Sequence, residues 1–391
     1  MKKIIAILLA AMMVLGLAAC GTAEPATTTG APAVETTGAA GETTGEAGET
    51  TAAPAANLIN KIAVVTDVGT IDDESFNQAC WQGAEAFGQA NGIEYTYYQP
   101  TEDSNDARVA SVAQAVAEGA DTIVMPGYLF GATLTVVMNM YPDVNFIAVD
   151  VGAGDLTVDY TTYYDPTSNV ACLTFSEEQA GYLAGYAAVK DGYTKLGFLG
   201  GMAVPAVIRY GYGFVQGAND AAVELEKTIE INYTYGGQFY GSPEITAKME
   251  GWYQAGTEVV FACGGGIYTS ALEAAKKFEA KVIGVDVDQA YIDEDIITSA
   301  MKQLQNVTET VLEALNKGEF ATYGGKVTNF SLAEGEYVGL PTAETSWRLS
   351  TFTVEEYEAL KAAIIAGTVT ISADTENAPT VAETTTVNYI G

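Results

Sequence analysis

The sequence predicts a two-lobed α/β protein in which two sets of βαβ units, each a parallel sheet between helix layers, flank a ligand cleft. Three observations carry this. From Lys61 onward, short apolar, β-branched runs alternate with segments of helical apolar spacing. The same theme restarts at Glu177. The part of the chain able to bury a core, roughly 330 residues, exceeds one compact domain.

In the first set, "KIAVVTD" is a strand and "SFNQACWQGAEAFGQANG" a helix ending at Gly92. "IEYTYYQ", "DTIVMPG" and "NFIAVD" are strands, separated by the helices "DARVASVAQAVAEGA" and "LFGATLTVVMNMYP". In the second, the helices "EEQAGYLAGYAAVKDG", "VIRYGYGFVQGANDAAVEL", "SPEITAKMEGWYQAG" and "SALEAAKKFEA" alternate with the strands "KLGFLGG", "IEINYTYGG", "TEVVFACGGG" and "KVIGVDVDQ". Ligands of open parallel sheets sit outside the carboxyl ends of the strands. Small, acidic and aromatic residues gather at those ends: Asp67, Gly127, Asp150, Phe239, Gly264 and Asp286.

The start of the chain reads differently. Met1 to Ala19 has a charged start and an apolar run shorter than the roughly 20 residues that span a bilayer, and "LAAC" follows. Residues 1–19 are a lipoprotein signal peptide, and Cys20 is the lipidated residue. The Thr, Gly, Ala and Glu segment over 20–57 contains no aromatic side chain and is a disordered tether. The expected organisation is then a first lobe over 58–160, a second over 161–288, a return to the first over 289–325, and a hinge return with C-terminal tail over 326–391.

Composition excludes several functions. A net charge of −33 argues against nucleic acid, whose phosphates need clustered Lys and Arg. The chain has no His, and Cys80, Cys172 and Cys263 are widely spaced, so neither a zinc site nor a Cys–His nucleophile is expected. The three cysteines read as small buried apolar residues. "GGMAVPAVIRYGYGFVQG" lacks phosphate-loop spacing, and its glycines read as close helix packing, with Arg209 structural.

"TDVGTIDDESFNQ" brings four carboxylates around one Gly and one Phe. Asp67 ends a strand and points to a pocket. Asp73 and Glu74 precede a helix, where negative charge is stabilised, and Ser75 is the expected N-cap. Phe76, in the first turn, is placed to stack on a flat ligand or to pack in the core. The stretch is also similar to the calcium motif of nucleoside hydrolases, but Val65 stands where the first Asp belongs, Gly69 lies too far from Asp72, and no His can protonate a leaving base.

"DDESFNQACWQG", "EEQAGYLAGYAA", "GFLGGMAVPAVIRYGYGFVQGA" and "VIGVDVDQ", followed by "ITSAMK", resemble the basic membrane protein family of ABC-transporter substrate-binding lipoproteins, whose best-understood members are purine nucleoside receptors. The resemblance runs in register from Lys61 to Lys302 and more loosely to about residue 375. It implies a type I periplasmic-binding fold with three hinge strands, a monomer on the outer face of the cell membrane, an ABC permease as partner, no enzymatic activity, and no cofactor or metal. By matching position it implies that Phe76 stacks on the base with Asn77 beside it, and that Asp67 and Asp150 line the cleft. Phe239 is the second lobe's aromatic, Gly264 lets the backbone approach the ligand, and Asp286 and Lys302 hold the ribose hydroxyls. "GGQFYGSP" departs from relatives that carry a Ser before the Phe, which bears on base preference. Two other classes share parts of the pattern: a nucleoside-acting hydrolase, and a sensory or adhesive surface lipoprotein binding another small polar ligand.

The Cys20 assignment is testable in cells. Firm retention needs more than one acyl chain, as a lipidated N-terminal cysteine supplies. Cys20→Ser should move the protein from the membrane fraction to the soluble one. Unchanged membrane retention would remove the lipobox reading.

Overall fold

The computed structural model describes residues 57–391. The signal segment, Cys20 and all of the tether but its last residue lie outside the described residues. In chain order the regular elements begin with β1 (Lys61–Val65), α1 (Phe76–Asn91), β2 (Glu94–Tyr98), α2 (Asn105–Ala117), β3 (Thr122–Pro126), α3 (Phe130–Met140), β4 (Asn145–Val149) and β5 (Val170–Phe175). Then come α4 (Glu177–Lys190), β6 (Lys195–Gly200), α5 (Pro205–Glu224), β7 (Ile229–Tyr235), α6 (Pro243–Gln254), β8 (Val259–Cys263), α7 (Tyr268–Phe278), β9 (Lys281–Asp286) and β10 (Ile296–Lys302). The chain finishes with α8 (Leu304–Asn316), β11 (Lys326–Phe330), α9 (Leu332–Gly335), β12 (Val338–Gly339), α10 (Val354–Ile365) and β13 (Thr385–Tyr389).

Two sheets form. The first runs β11-β5-β4-β3-β1-β2, and the second β12-β10-β9-β8-β6-β7-β13. Every pairing is parallel except that of β10 with β12. Parallel sheets need both faces covered, and the central strands β3 and β8 are buried along their whole length. The chain crosses between the sheets three times: from β5 into α4, from β10 into α8, and from β11 through α9 into β12.

These crossings move the expected lobe boundaries. β5 pairs with β4 and β11, so the first lobe continues past 160 to Phe175. β10 pairs with β9, so the second lobe continues past 288 to Lys302, and only α8 and β11 return to the first. The tail is not merely a tail: β13 pairs with β7 as a parallel edge strand of the second sheet. Sheet membership depends on partners far away in sequence, and a short apolar strand reads the same in either sheet.

Helix α1 ends with Gly92 left-handed at φ 66°, as its sequence predicts. Its start differs from expectation. Ser75 makes no capping bond; the Asp73 carboxylate accepts from the backbone N–H groups of Ser75, Asn77 and Gln78 instead. A carboxylate two residues further back closes the same orphan donors and frees the Ser75 hydroxyl. Cys80, Cys172 and Cys263 are buried free thiols.

The closest helix pair, α4 against α5, is built on glycines spaced four apart. A Cβ placed on Gly181 or Gly185 would lie 2.1 Å from the carbonyl oxygen of Tyr210 or Phe214, and one on Gly213 or Gly217 would lie 2.1 or 2.0 Å from that of Glu178 or Tyr182. Only hydrogens fit there. Gly185→Ala should therefore destabilise the protein by about 1–3 kcal/mol or more through overpacking, although Ala is the better helix former. Gly251→Ala, in α6 with nothing within 4 Å, is the control and should be neutral or stabilising. Equal thermal midpoints for the two variants would contradict this account of the packing.

Candidate functional site

The strands of both sheets end on one cavity of about 600 Å³, counted out to its open mouth. Asp67, Phe76, Asn77, Asp150, Phe239, Gly264, Asp286 and Lys302 all line it. The structure thus brings together every candidate ligand residue that the sequence suggested, from both lobes. It adds Tyr210 and Asp73, with Gly127 and Tyr128 from the first lobe and Val204 and Val207 from the second. Nothing local in the sequence marks Tyr210, which sits at an ordinary apolar position of α5.

At the first lobe's wall, Asp67 follows the end of β1. Its Oδ1 accepts from Gly69 N–H at 2.8 Å and from Asn77 Nδ2 at 3.1 Å. Asn77 Nδ2 also donates to Asp73 Oδ2 at 3.2 Å. Burial pushes the Asp67 carboxyl above its usual range, and lifts Asp73 to about 6 despite the backbone N–H groups it caps. These acids are engaged with amides of their own loop, a poor basis for the hydrolase-like metal site. Among the described residues no group of three or more His, Cys, Asp and Glu is arranged to hold a metal ion.

At the floor lies Lys302, the last residue of β10 and 3 % exposed. Its Nζ donates to Asp150 Oδ2, lies 3.4 Å from Glu177 Oε1, and is 3.9 Å from Asp286 Oδ1. The rings of Phe76, Phe175 and Tyr210 surround it, with Phe76 4.8 Å from ring centroid to Nζ. Burial opposes the ammonium charge, but Asp150, Glu177 and Asp286 together hold its pKa above the ordinary lysine value. Burial lifts Asp150 to about 7 in spite of Lys302, and raises Asp286. Beneath them, burial pushes the Glu177 carboxyl up, but Arg209, bound to it at 2.6 Å, and Lys302 together hold it below its usual range. Arg209 is the structural residue expected of it. Glu177, unassigned in the sequence reading, is the group it serves; its one sequence signal is an acidic pair opening a helix of small apolar residues.

Two backbone features explain why these side chains converge. Asp150 and Asp286 occupy equivalent places, just after β4 and at the end of β9, and both are left-handed, at φ 59° and 65°. Non-glycine residues avoid this region unless the surroundings impose it, and such strain concentrates at functional sites. Gly264 ends the equivalent turn after β8 at φ 137°, where a Cβ would lie 2.9 Å from the Phe239 ring. It makes room for Phe239 as well as lining the cavity.

The lobes also touch directly. Ser75 Oγ, freed from capping, donates to Asp286 Oδ2 at 2.6 Å, and Gln289 Nε2 donates to the Glu74 carbonyl at 2.8 Å. Tyr291 donates to the Glu74 carboxylate. Glu74 keeps its expected place at the start of α1, where its carboxylate accepts from Gln78 Nε2 at 3.0 Å, and is also a bridge to the other lobe.

The polar lining is rich in acceptors. Among the described residues that line it Lys302 is the one cation, against carboxylates of Asp67, Asp73, Asp150 and Asp286. Among the described residues, buried Asn77 Oδ1 and Asp150 Oδ1 have no hydrogen-bond partner. Buried polar groups without partners are costly, so these mark where a ligand's polar groups belong. The site suits a neutral, flat molecule with several hydrogen-bond donors; a phosphate would meet uncompensated carboxylates.

Comparison with known proteins agrees with this geometry. The family model for PnrA-like ABC transporter substrate-binding proteins matches residues 59–375. An ABC transporter nucleoside-binding protein, BmpA, of Lactococcus lactis is 28% identical over 298 residues, covering 70% of this chain and 80% of that protein. Basic membrane protein A2 of Borrelia garinii is 30% identical over 287 residues, 71% of this chain and 78% of the relative. Among solved structures, an ABC transporter solute-binding protein of Aeropyrum pernix superposes with a TM-score of 0.67 at 23% identity, covering 81% of this chain and 94% of that one. The dimeric Lac repressor shares the fold more distantly, with a TM-score of 0.52 at 13% identity. The fold is that of type I periplasmic solute-binding proteins. With a family match across most of its length and an interlobe cavity at the strand ends, the chain belongs to the PnrA-like family of ABC-transporter substrate-binding proteins, extracytoplasmic receptors that pass a captured ligand to a membrane permease rather than transform it.

Proposed function

We propose that the ligand is a nucleoside, of the purine class, held as a monomeric receptor closes around it and delivered from a lipid anchor on Cys20. The observation that carries this reading is the pairing of two aromatic walls with one polar floor. Phe76 and Phe239 line the cavity from opposite lobes, and Asp150, Asp286 and Lys302 lie at its base. Aromatic faces suit a base, which presents a π-surface whatever its substituents. A carboxylate pair with an ammonium suits a ribose diol, whose hydroxyls both donate and accept. The relative in Lactococcus lactis described as nucleoside-binding supports the same class. Asp67, Phe76, Asn77, Asp150, Phe239, Gly264, Asp286 and Lys302 are the residues assigned to the ligand.

Titration calorimetry with inosine, guanosine and adenosine tests the reading directly, with the 5′-monophosphates as controls. Nucleosides should bind and the phosphates should not. No heat or thermal shift with any nucleoside would remove the proposal. Phe76→Ala should weaken binding roughly 5- to 150-fold, the equivalent of about 1–3 kcal/mol for one stacked base. Unchanged affinity in a folded variant would assign Phe76 to the core alone.

The floor is tested by comparing inosine with hypoxanthine, which lacks the sugar. Asp286→Ala should lower inosine affinity at least several-fold, at about 1–3 kcal/mol for an unpaired buried partner, and leave any hypoxanthine binding nearly unchanged. Lys302→Met should act in the same direction. The double variant should lose less than the sum, because both groups serve one another. Equal weakening of both ligands would mean that these residues act through lobe closure and not through the ribose.

A further inference from the structure

We propose that Glu74, Gln289 and Tyr291 are positioning residues that latch the two lobes together outside the ligand cavity, so that the rate of ligand release is set in part by groups that never touch the ligand. The inference does not depend on which ligand the cavity takes.

Gln289 is the fixed half of the latch. It opens the short 3-10 turn Gln289–Tyr291 after β9 and is fully buried. Its Oε1 accepts from the backbone N–H of Val285 at 3.1 Å, and its own N–H donates to Ser299 Oγ on β10 at 3.0 Å. An amide whose oxygen is already engaged must offer its NH2 group to what remains. Nε2 is thus committed to the first lobe, where it donates to the Glu74 carbonyl at 2.8 Å. Gly284 makes room for this arrangement: a Cβ there would lie 2.5 Å from Gln289 Oε1. Arg348, in the segment after β12, braces the turn by donating to the carbonyls of Ala290 and Ile296 at 2.8 and 2.9 Å.

Glu74 is the strained half. It is left-handed at φ 52°, a conformation disfavoured for any residue with a side chain. Gln78 holds it there. The Glu74 N–H donates to Gln78 Oε1 at 2.9 Å, and Gln78 Nε2 donates to the Glu74 carboxylate at 3.0 Å. Glycine would suit this backbone better. What glutamate adds is a carboxylate that accepts from the Tyr291 hydroxyl of the other lobe. Glu74, Gln289 and Tyr291 are not among the residues that line the ligand cavity; Glu74 and Tyr291 line a separate crevice between the lobes, with Gln78, Gln82 and Val287.

Both bonds join one lobe to the other, so both exist only while the lobes are together. Their strength favours the closed state alone and biases the ligand-free chain toward it. A ligand enclosed between the lobes leaves when they part, and the latch must break first.

Three variants test the latch. Tyr291→Phe removes one hydroxyl from a residue 65 % exposed, and Glu74→Gly removes the carboxylate while relieving the left-handed backbone. Gln289→Glu keeps an acceptor for Val285 N–H but sets an oxygen against the Glu74 carbonyl. Hydrogen exchange on the intact ligand-free protein reads closure directly. The loop over 236–241 carries Phe239, lines the cavity and makes no hydrogen bond to the latch residues. Loss of the latch should raise exchange several-fold both at 286–292 and in this remote loop, because the whole cleft opens more often. A rise confined to the residues around each substitution, or no rise, would overturn the latch and leave these bonds as local packing. Stopped-flow release of inosine is the second arm. Dissociation should be roughly 3- to 10-fold faster in each folded variant, the effect of one hydrogen bond, with association nearly unchanged. Equal dissociation rates would overturn the latch. If the unaltered protein binds no inosine, the nucleoside reading falls and the exchange result alone decides the latch.

Discussion

The buried ammonium of Lys302 is the point on which the two lobes depend. All three connections between the sheets meet around it. It ends β10, where the chain leaves the second lobe. Glu177, its partner at 3.4 Å, begins α4 at the first crossing, and Val338, its partner in the β10–β12 pairing, follows the third. Taking such a charge out of water costs several kcal/mol, and only close carboxylates offset it. Asp150 comes from the first lobe and Asp286 from the second, so the charge balance of the hinge region requires groups from both.

That balance is asymmetric. Glu177 is shared between Lys302 and Arg209, while among the described residues the ion pairs of Asp150 and Asp286 are with Lys302. Their raised pKa values express the shortage of positive charge in a desolvated space. A ligand that donates hydrogen bonds relieves it; an anion aggravates it. The shortage of positive charge that suits the proposed neutral, donor-rich ligand thus follows from the same interaction that ties the lobes together.

Repetition of one architecture supplies the geometry. In each lobe a strand ends in a left-handed aspartate, Asp150 or Asp286, and the strand before it ends in a glycine with positive φ, Gly127 or Gly264. Facing the two sheets across a cleft brings these turns to one cavity. The loop before α1 completes the wall by a division of labour. Asp73 caps the helix, Asn77 is locked between acids, and Ser75 and Glu74 reach the other lobe.

The fold class, most of the strands and helices, and the candidate ligand residues at the strand ends were legible in the sequence, because periodicity, strand-end chemistry and family resemblance are local signals. The signal segment and the lipidation of Cys20 are expectations of the sequence and lie outside the described residues. Tertiary structure alone decided the rest. Strand pairing moved β5 into the first sheet, β10 into the second and β13 onto its edge, since pairing is a long-range choice that short apolar runs do not encode. It replaced Ser75 by Asp73 as the helix cap and sent Glu74 across the cleft, because capping competes with partners the sequence cannot show. It also gave Tyr210 and Glu177 their places in the site: a tyrosine on an apolar helix face and an acid at a helix start look ordinary until the opposite lobe supplies the charges and the cavity that they face.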